Sequence, residues 1–211
     1  MKYEQEVREA LIGNTIHLIA KGGFEKATTK AITHDGAALP NVKMNEVYIY
    51  RLFGSKERLY AVAFSCLDKE IVYALHACLE AHHNLEANTR QMLYEVFSDV
   101  WHFLLNNEDH CRCYIRYYYS VYFRGESLNT HNQLFDEIIA EFSPLFKREA
   151  DVKSIMHSVF TTMLDFAVRV YNGDLESSQT NAEHIYNVVY CMMASYFKGE
   201  NSVKTNKTFF I

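Results

Sequence analysis

Backbone punctuation is scarce in this chain: its 211 residues hold two prolines, Pro40 and Pro144, and eight glycines. A sandwich or barrel needs a tight turn every 8–12 residues or so. Two prolines and eight glycines cannot supply them, so the expectation is an all-α fold. With 49% hydrophobic and 22% charged residues, the chain is also apolar enough to bury a core rather than stay disordered.

Periodicity bears this out from the first residues. Val7, Leu11, Ile12, Thr15, Ile16 and Ile19 recur at three and four positions, one stripe of a helix near residues 3–21. Gly22-Gly23 suits a left-handed C-terminal cap, and Phe24 turns back as an apolar plug. Thr28 is placed to cap a short second helix to about residue 35, with Ile32 facing inward and Gly36 as its stop. Asn45 begins a third short helix, NEVYIYRLF, that buries Ile49 and Phe53. Gly54 breaks it, and Ser55 caps a long helix over about 56–83. The expected organisation is a three-helix head, 1–55, joined by that long helix to a body, 56–198, with a loose tail, 199–211.

The body reads as further helices near 87–106, 109–123, 129–147, 151–171 and 178–197. The last two are apolar over a face wide enough for more than one neighbour. Val152, Ile155, Val159 and Met163 on one, with Ile185, Val189, Met192 and Tyr196 on the other, are the candidate dimer interface. Aromatic residues crowd the middle of the body. Tyr94, Phe97, Trp101, Tyr114, Tyr117, Tyr118 and Tyr122 are the candidate walls of a ligand cavity, suited to a flat apolar or cationic molecule. Dense core packing explains the same stripe equally well, except that buried tyrosine hydroxyls need partners.

Charge is unevenly shared. Residues 1–60 carry nine Lys/Arg against seven Asp/Glu, net +2, and the remainder carries −7, together the −5 of the whole chain. Such asymmetry can turn one end toward phosphates. No stretch approaches a membrane span, and the charged start MKYEQEVREA lacks the apolar region of a signal peptide. A cytoplasmic location is expected, with the five cysteines as free thiols. His110-Cys111-x-Cys113 offers soft ligands without a fourth at zinc spacing, so no metal site is assigned. None of the GxSxG, GxxxxGK[ST] or GxGxxG patterns occurs. Neither an enzyme nor a cofactor is expected.

The stretches GGFEKATTKAI (22–32) and YIYRLFGSKERLY (48–60) resemble the DNA-binding head of the TetR family of bacterial transcriptional regulators. The resemblance covers about the first sixty residues; the body matches in architecture and length alone. It implies a helix-turn-helix that presents a recognition helix to the major groove of an operator. By position, Asn45, Glu46, Val47, Tyr48 and Tyr50 would form that helix's exposed face. Tyr50 and Lys56 would contact phosphates, with Thr29 a third and Thr28 the cap; Glu46 and Tyr48 could read base edges. The resemblance further implies a homodimeric regulator, usually a repressor released by a small-molecule effector. A dimeric sensor or interaction protein that has lost operator binding is the alternative.

One departure bears on that choice. Ile32 and Phe53 are separated by about six residues more than the family pattern has, an enlarged turn within HDGAALPNVK whose closure costs little entropy. It could be a bulge, an added phosphate contact through Lys43, or a mark of lost DNA binding.

Overall fold

The computed structural model describes residues 2–34, 44–82 and 89–198. Lys43, Gly36, the Leu39-Pro40-Asn41 loop, His83 and the tail from 199 lie outside the described residues. Within these bounds the chain is all-α: α1 (Lys2–Gly22), α2 (Thr29–His34), α3 (Val47–Phe53), α4 (Lys56–His82), α5 (Thr89–Asn106), α6 (Glu108–Tyr118), α7 (Glu126–Phe142), a 3₁₀ turn (Ser143–Leu145), α8 (Val152–Tyr171) and α9 (Gln179–Ala194). The only β pairing among the described residues is an isolated antiparallel bridge between Phe146 and Phe197. No helix among them is long and apolar enough to cross a membrane.

Local chemistry sets most helix ends. The Thr28 hydroxyl accepts from the Ala31 N–H at 3.1 Å, and the Ser55 hydroxyl accepts from that of Arg58 at 3.1 Å. Each satisfies one of the donors that a helix start leaves unpaired. At α3 the Asn45 side chain accepts from the Val47 N–H at 3.1 Å. Asp151 and Ser178 do the same for α8 and α9. Gly54, at φ 82°, sends its N–H back to the Tyr50 carbonyl and closes α3 in a conformation that a side chain would strain.

α6 and α7 differ from the expected ranges. Helix six stops at Tyr118 rather than continuing to 123, because the Ser120 backbone and hydroxyl both bond the Tyr117 carbonyl, at 2.9 and 2.7 Å, and turn the chain. Helix seven begins three residues earlier, straight after Gly125, and ends at Phe142 where Pro144 removes a donor.

Head and body share one continuous apolar core, from Val7 to Phe197. α4 packs against α1 and α3 at one end and against α5, α6 and α7 along the rest. At 27 residues it spans about 40 Å. The heaviest packing between head and body is α1 against α6.

Candidate nucleic-acid interface and ligand cavity

α3 lies on the surface of the head with its two faces sharply divided. Ile49 is fully buried and Phe53 nearly so, while Val47, Tyr50 and Arg51 are exposed. The buried pair seats the helix on α1 and α4, and the Arg8 guanidinium covers the Phe53 ring at 4.7 Å. Asn45 and Glu46 are exposed just ahead of the helix. Tyr48 is half-buried against the core, with the Arg51 guanidinium 4.5 Å over its ring. Thr29, at the start of α2, donates its hydroxyl to the Glu46 carboxylate and so ties the two short helices together. Lys56 is half-buried at the start of α4, its ammonium 5.7 Å from the Tyr60 ring. Thr28, Thr29, Asn45, Glu46, Tyr50 and Lys56 thus cluster around α2, α3 and the start of α4. Arg51, which lies on the same surface and pairs with Glu4 at 3.3 Å, was missed by the sequence reading.

The body holds a cavity of about 670 Å³, partly open to the surface, between α5, α6, α7, α8 and α9, with Leu75 of α4 also in its wall. Phe97, Tyr114 and Tyr118 are in its wall. Tyr94, Trp101, Tyr117 and Tyr122 are not, and each has another task. Tyr117 and Tyr122 pack against Phe24, the plug of the head, at ring separations of 6.2 and 4.8 Å. Trp101 stacks on Phe97 from behind, and Tyr94 meets Tyr186 edge to face. Helical register explains the division: Tyr114 and Tyr118 are four apart and share a face, whereas Tyr117 points a quarter-turn away.

Among its aromatic rings the cavity carries a polar group that the sequence reading missed. His131 of α7 lies in the wall, and its Nδ1 is 3.0 Å from Oδ1 of Asp68 on α4, a residue 1% exposed. The second oxygen, Asp68 Oδ2, is buried without a hydrogen-bond partner among the described residues. Burial pushes the Asp68 carboxyl above its usual range, and His131 and Tyr114 pull it partly back. The clue in the sequence was Asp68 itself, a carboxylate on the same stripe as Phe64, Leu67 and Ile71.

α6 carries contacts to both sites. Its Tyr114 and Tyr118 face the cavity, while Arg116 donates to the Ile19 carbonyl at the end of α1 at 2.9 Å. Asp109 meets His17 of α1 at 2.7 Å and Lys21 at 3.5 Å. Gly23 beside this clamp takes φ 74°, a backbone conformation that a side chain would strain, although a Cβ there would meet Arg116 Nη1 only at ordinary contact distance, 3.5 Å.

The candidate dimer residues need correction. Val159, Met163, Ile185 and Val189 are buried inside their own protomer, and all but Ile185 line the cavity. The apolar stripe was wide because one half of it faces this interior. Val152, Ile155 and Met192 are half-buried, and Tyr196 is 43% exposed. With Val188, at 45%, Met192 and Tyr196 mark an outward line at the end of α9.

Cys111 and Cys113 point into the core, where burial raises their thiols to about 11 and about 12, and His110 Nδ1 lies 2.9 Å from Glu70 instead. Among the described residues no group of three His, Cys, Asp or Glu is arranged to hold an ion.

No family model matches the sequence, and no curated protein does. Solved structures do. A TetR family regulator from Marinobacter aquaeolei aligns with a TM-score of 0.69 at 14% identity, over 91% of this chain and 98% of its own. A TetR regulator from Shewanella gives 0.70 at 13%, over 90% and 98%. A transcriptional regulator from Saccharomonospora viridis, solved with choline, gives 0.58 at 14%, over 90% and 96%. The chain therefore has the all-α architecture of TetR-family transcription regulators, head and body together.

Proposed function

We propose that this protein is a DNA-binding transcriptional regulator, a repressor released when a small effector enters the cavity of the body. It acts by binding rather than by catalysis. The observation that carries the DNA half is the division of α3, with Ile49 and Phe53 buried beneath it while Val47, Tyr50 and Arg51 stand clear. That is what a helix needs to enter a major groove without unfolding its support. Tyr50, Lys56 and Thr29 are read as phosphate contacts, with Asn45, Glu46 and Tyr48 nearer the base edges.

The effector half rests on α6. A ligand against Tyr114 and Tyr118 displaces the helix whose Arg116 and Asp109 grip α1, and so biases the position of the head. Two protomers are taken to associate through the outward line of Val188, Met192 and Tyr196, with heads spaced to reach successive major grooves about 34–36 Å apart. One structural neighbour holds choline. In this chain the ring-rich end of the cavity surrounds His131, which favours an apolar over a cationic effector.

A salt titration of binding to the DNA upstream of the gene tests this reading. A log–log slope steeper than about −4 supports phosphate recognition. Weak binding insensitive to salt favours a sensor of the same fold without an operator. The pairing of Arg51 with Glu4 and of Glu46 with Thr29 speaks for that second reading, because it occupies charged groups on the head's own surface.

A further inference from the structure

His131 is held as a hydrogen-bond donor or acceptor aimed at the ligand space. Its Nδ1 lies 3.0 Å from Asp68 Oδ1, and a carboxylate only accepts, so Nδ1 carries the proton. Nε2 remains, with no hydrogen-bond partner among the described residues, on a ring that lines the cavity. Rings of Phe135, Phe123 and Tyr118 surround the imidazole at 4.4, 5.3 and 5.5 Å. Aromatic faces at this range favour a cation. The imidazole fills that ring cluster, so the space a cationic head would need is already occupied.

The other charged groups nearby do not reverse this. Lys153 of α8 is matched by Asp136 of α7 at 2.8 Å. His157 Nδ1 lies 3.4 Å from the Tyr118 hydroxyl. Asp165, the only carboxylate in the wall among the described residues, is eight residues along α8 from His157, about 12 Å away. The polar lining on α8 is Ser154, Ser158 and Thr161 besides these charged groups, while Leu93, Val96 and Phe97 of α5, Ile138 and Phe142 of α7 and Met163 of α8 make an apolar wall.

We propose that the cavity takes an amphiphilic organic acid, its carboxylate accepting a charge-assisted hydrogen bond from His131 Nε2–H and its apolar body lying between α5, α7 and α8. The acid or solvent supplies the proton on Nε2, and Asp68 holds the imidazolium in register. This rests on the effector reading above and adds the chemistry of the head group.

Dodecanoate, dodecan-1-ol and dodecyltrimethylammonium share a chain and differ in head charge. In calorimetric titrations of the full chain at pH 7, below their micelle thresholds, dodecanoate is expected to bind at least tenfold more tightly than either. His131→Gln, whose amide can still donate to Asp68, brings the acid down to the level of the alcohol. Equal or tighter binding of the alcohol or the ammonium, or an acid preference that survives His131→Gln, overturns the proposal. The effector reading then stands if the winning probe changes DNA affinity. If none of the three binds, both fall. Should His131→Gln not fold, the ¹⁵N shift of Nε2 in the unmodified protein decides. Dodecanoate must move it toward imidazolium values and dodecanol must not; an unmoved signal overturns the proposal.

Discussion

Arg116 of α6 donates to the Ile19 carbonyl of α1 at 2.9 Å, across 97 positions of sequence. The Ile19 carbonyl already accepts from the Gly23 N–H at 2.9 Å, so Arg116 takes up its second lone pair at the negative end of the helix dipole. Arg116→Met is expected to cost about 1.5 kcal/mol in chemical denaturation, the lower end for a charged hydrogen bond because the side chain is partly solvated. It should cut the effector-induced change in operator affinity by about fivefold or more, with effector affinity itself little changed. An unaltered response would remove α6 from the coupling.

Tyr60 acts from the other side of the junction. Its hydroxyl donates to the Ala27 carbonyl at 2.6 Å, and both residues are buried. Tyr60→Phe strands that carbonyl, for an expected loss of about 1–2 kcal/mol in urea denaturation and little change in helical content. A Tm equal to that of the parent would mean that water reaches the carbonyl.

Val159 is 7% exposed and in the cavity wall. A larger side chain there has open space rather than packed atoms to enter, so Val159→Trp should fold with stability within about 1.5 kcal/mol of the parent. It should still bind DNA and should no longer respond to effector. Response retained at full strength would place the effector elsewhere.

On the head, Lys56→Ala and Tyr50→Phe are expected to weaken operator binding without altering circular dichroism or oligomeric state. Loss of the Lys56 charge should reduce the salt slope by about one. If both variants bind like the parent, the contacts assigned to them are wrong.

Asp68 makes a prediction about pH. Burial raises its folded-state pKa, so its stabilising contribution is present below the usual carboxylate value of about 3.9 and is lost as pH rises through the folded value. Asp68→Asn never ionises. The difference in Tm, variant minus parent, should therefore grow more positive from about pH 4 to pH 7. A difference that shrinks over that range would mean the His131 contact outweighs desolvation.

Much of this architecture was legible in the residues because it depends on neighbours in the chain. Thr28 and Ser55 cap the helices that follow them, and Gly54 ends α3, since a cap needs only a hydroxyl or a missing Cβ within three or four positions. The division of Ile49 and Phe53 from Tyr50 follows from 3.6 residues per turn.

What tertiary structure decided is which neighbour each apolar or aromatic face meets. The stripe of Val159, Met163 and Val189 was plain, but whether it faced a partner or a cavity depended on helices that lie far off in sequence. Tyr114 and Tyr117 differ only in register, and the position of α1 decides that one lines the cavity and the other braces Phe24. Asp68 and His131 stand 63 positions apart. Periodicity alone could put a carboxylate on the inner face of α4; it took the packing of α7 against that face to bring the imidazole to it, because hydrogen bonds of this kind are won by proximity in space and leave no trace in local spacing.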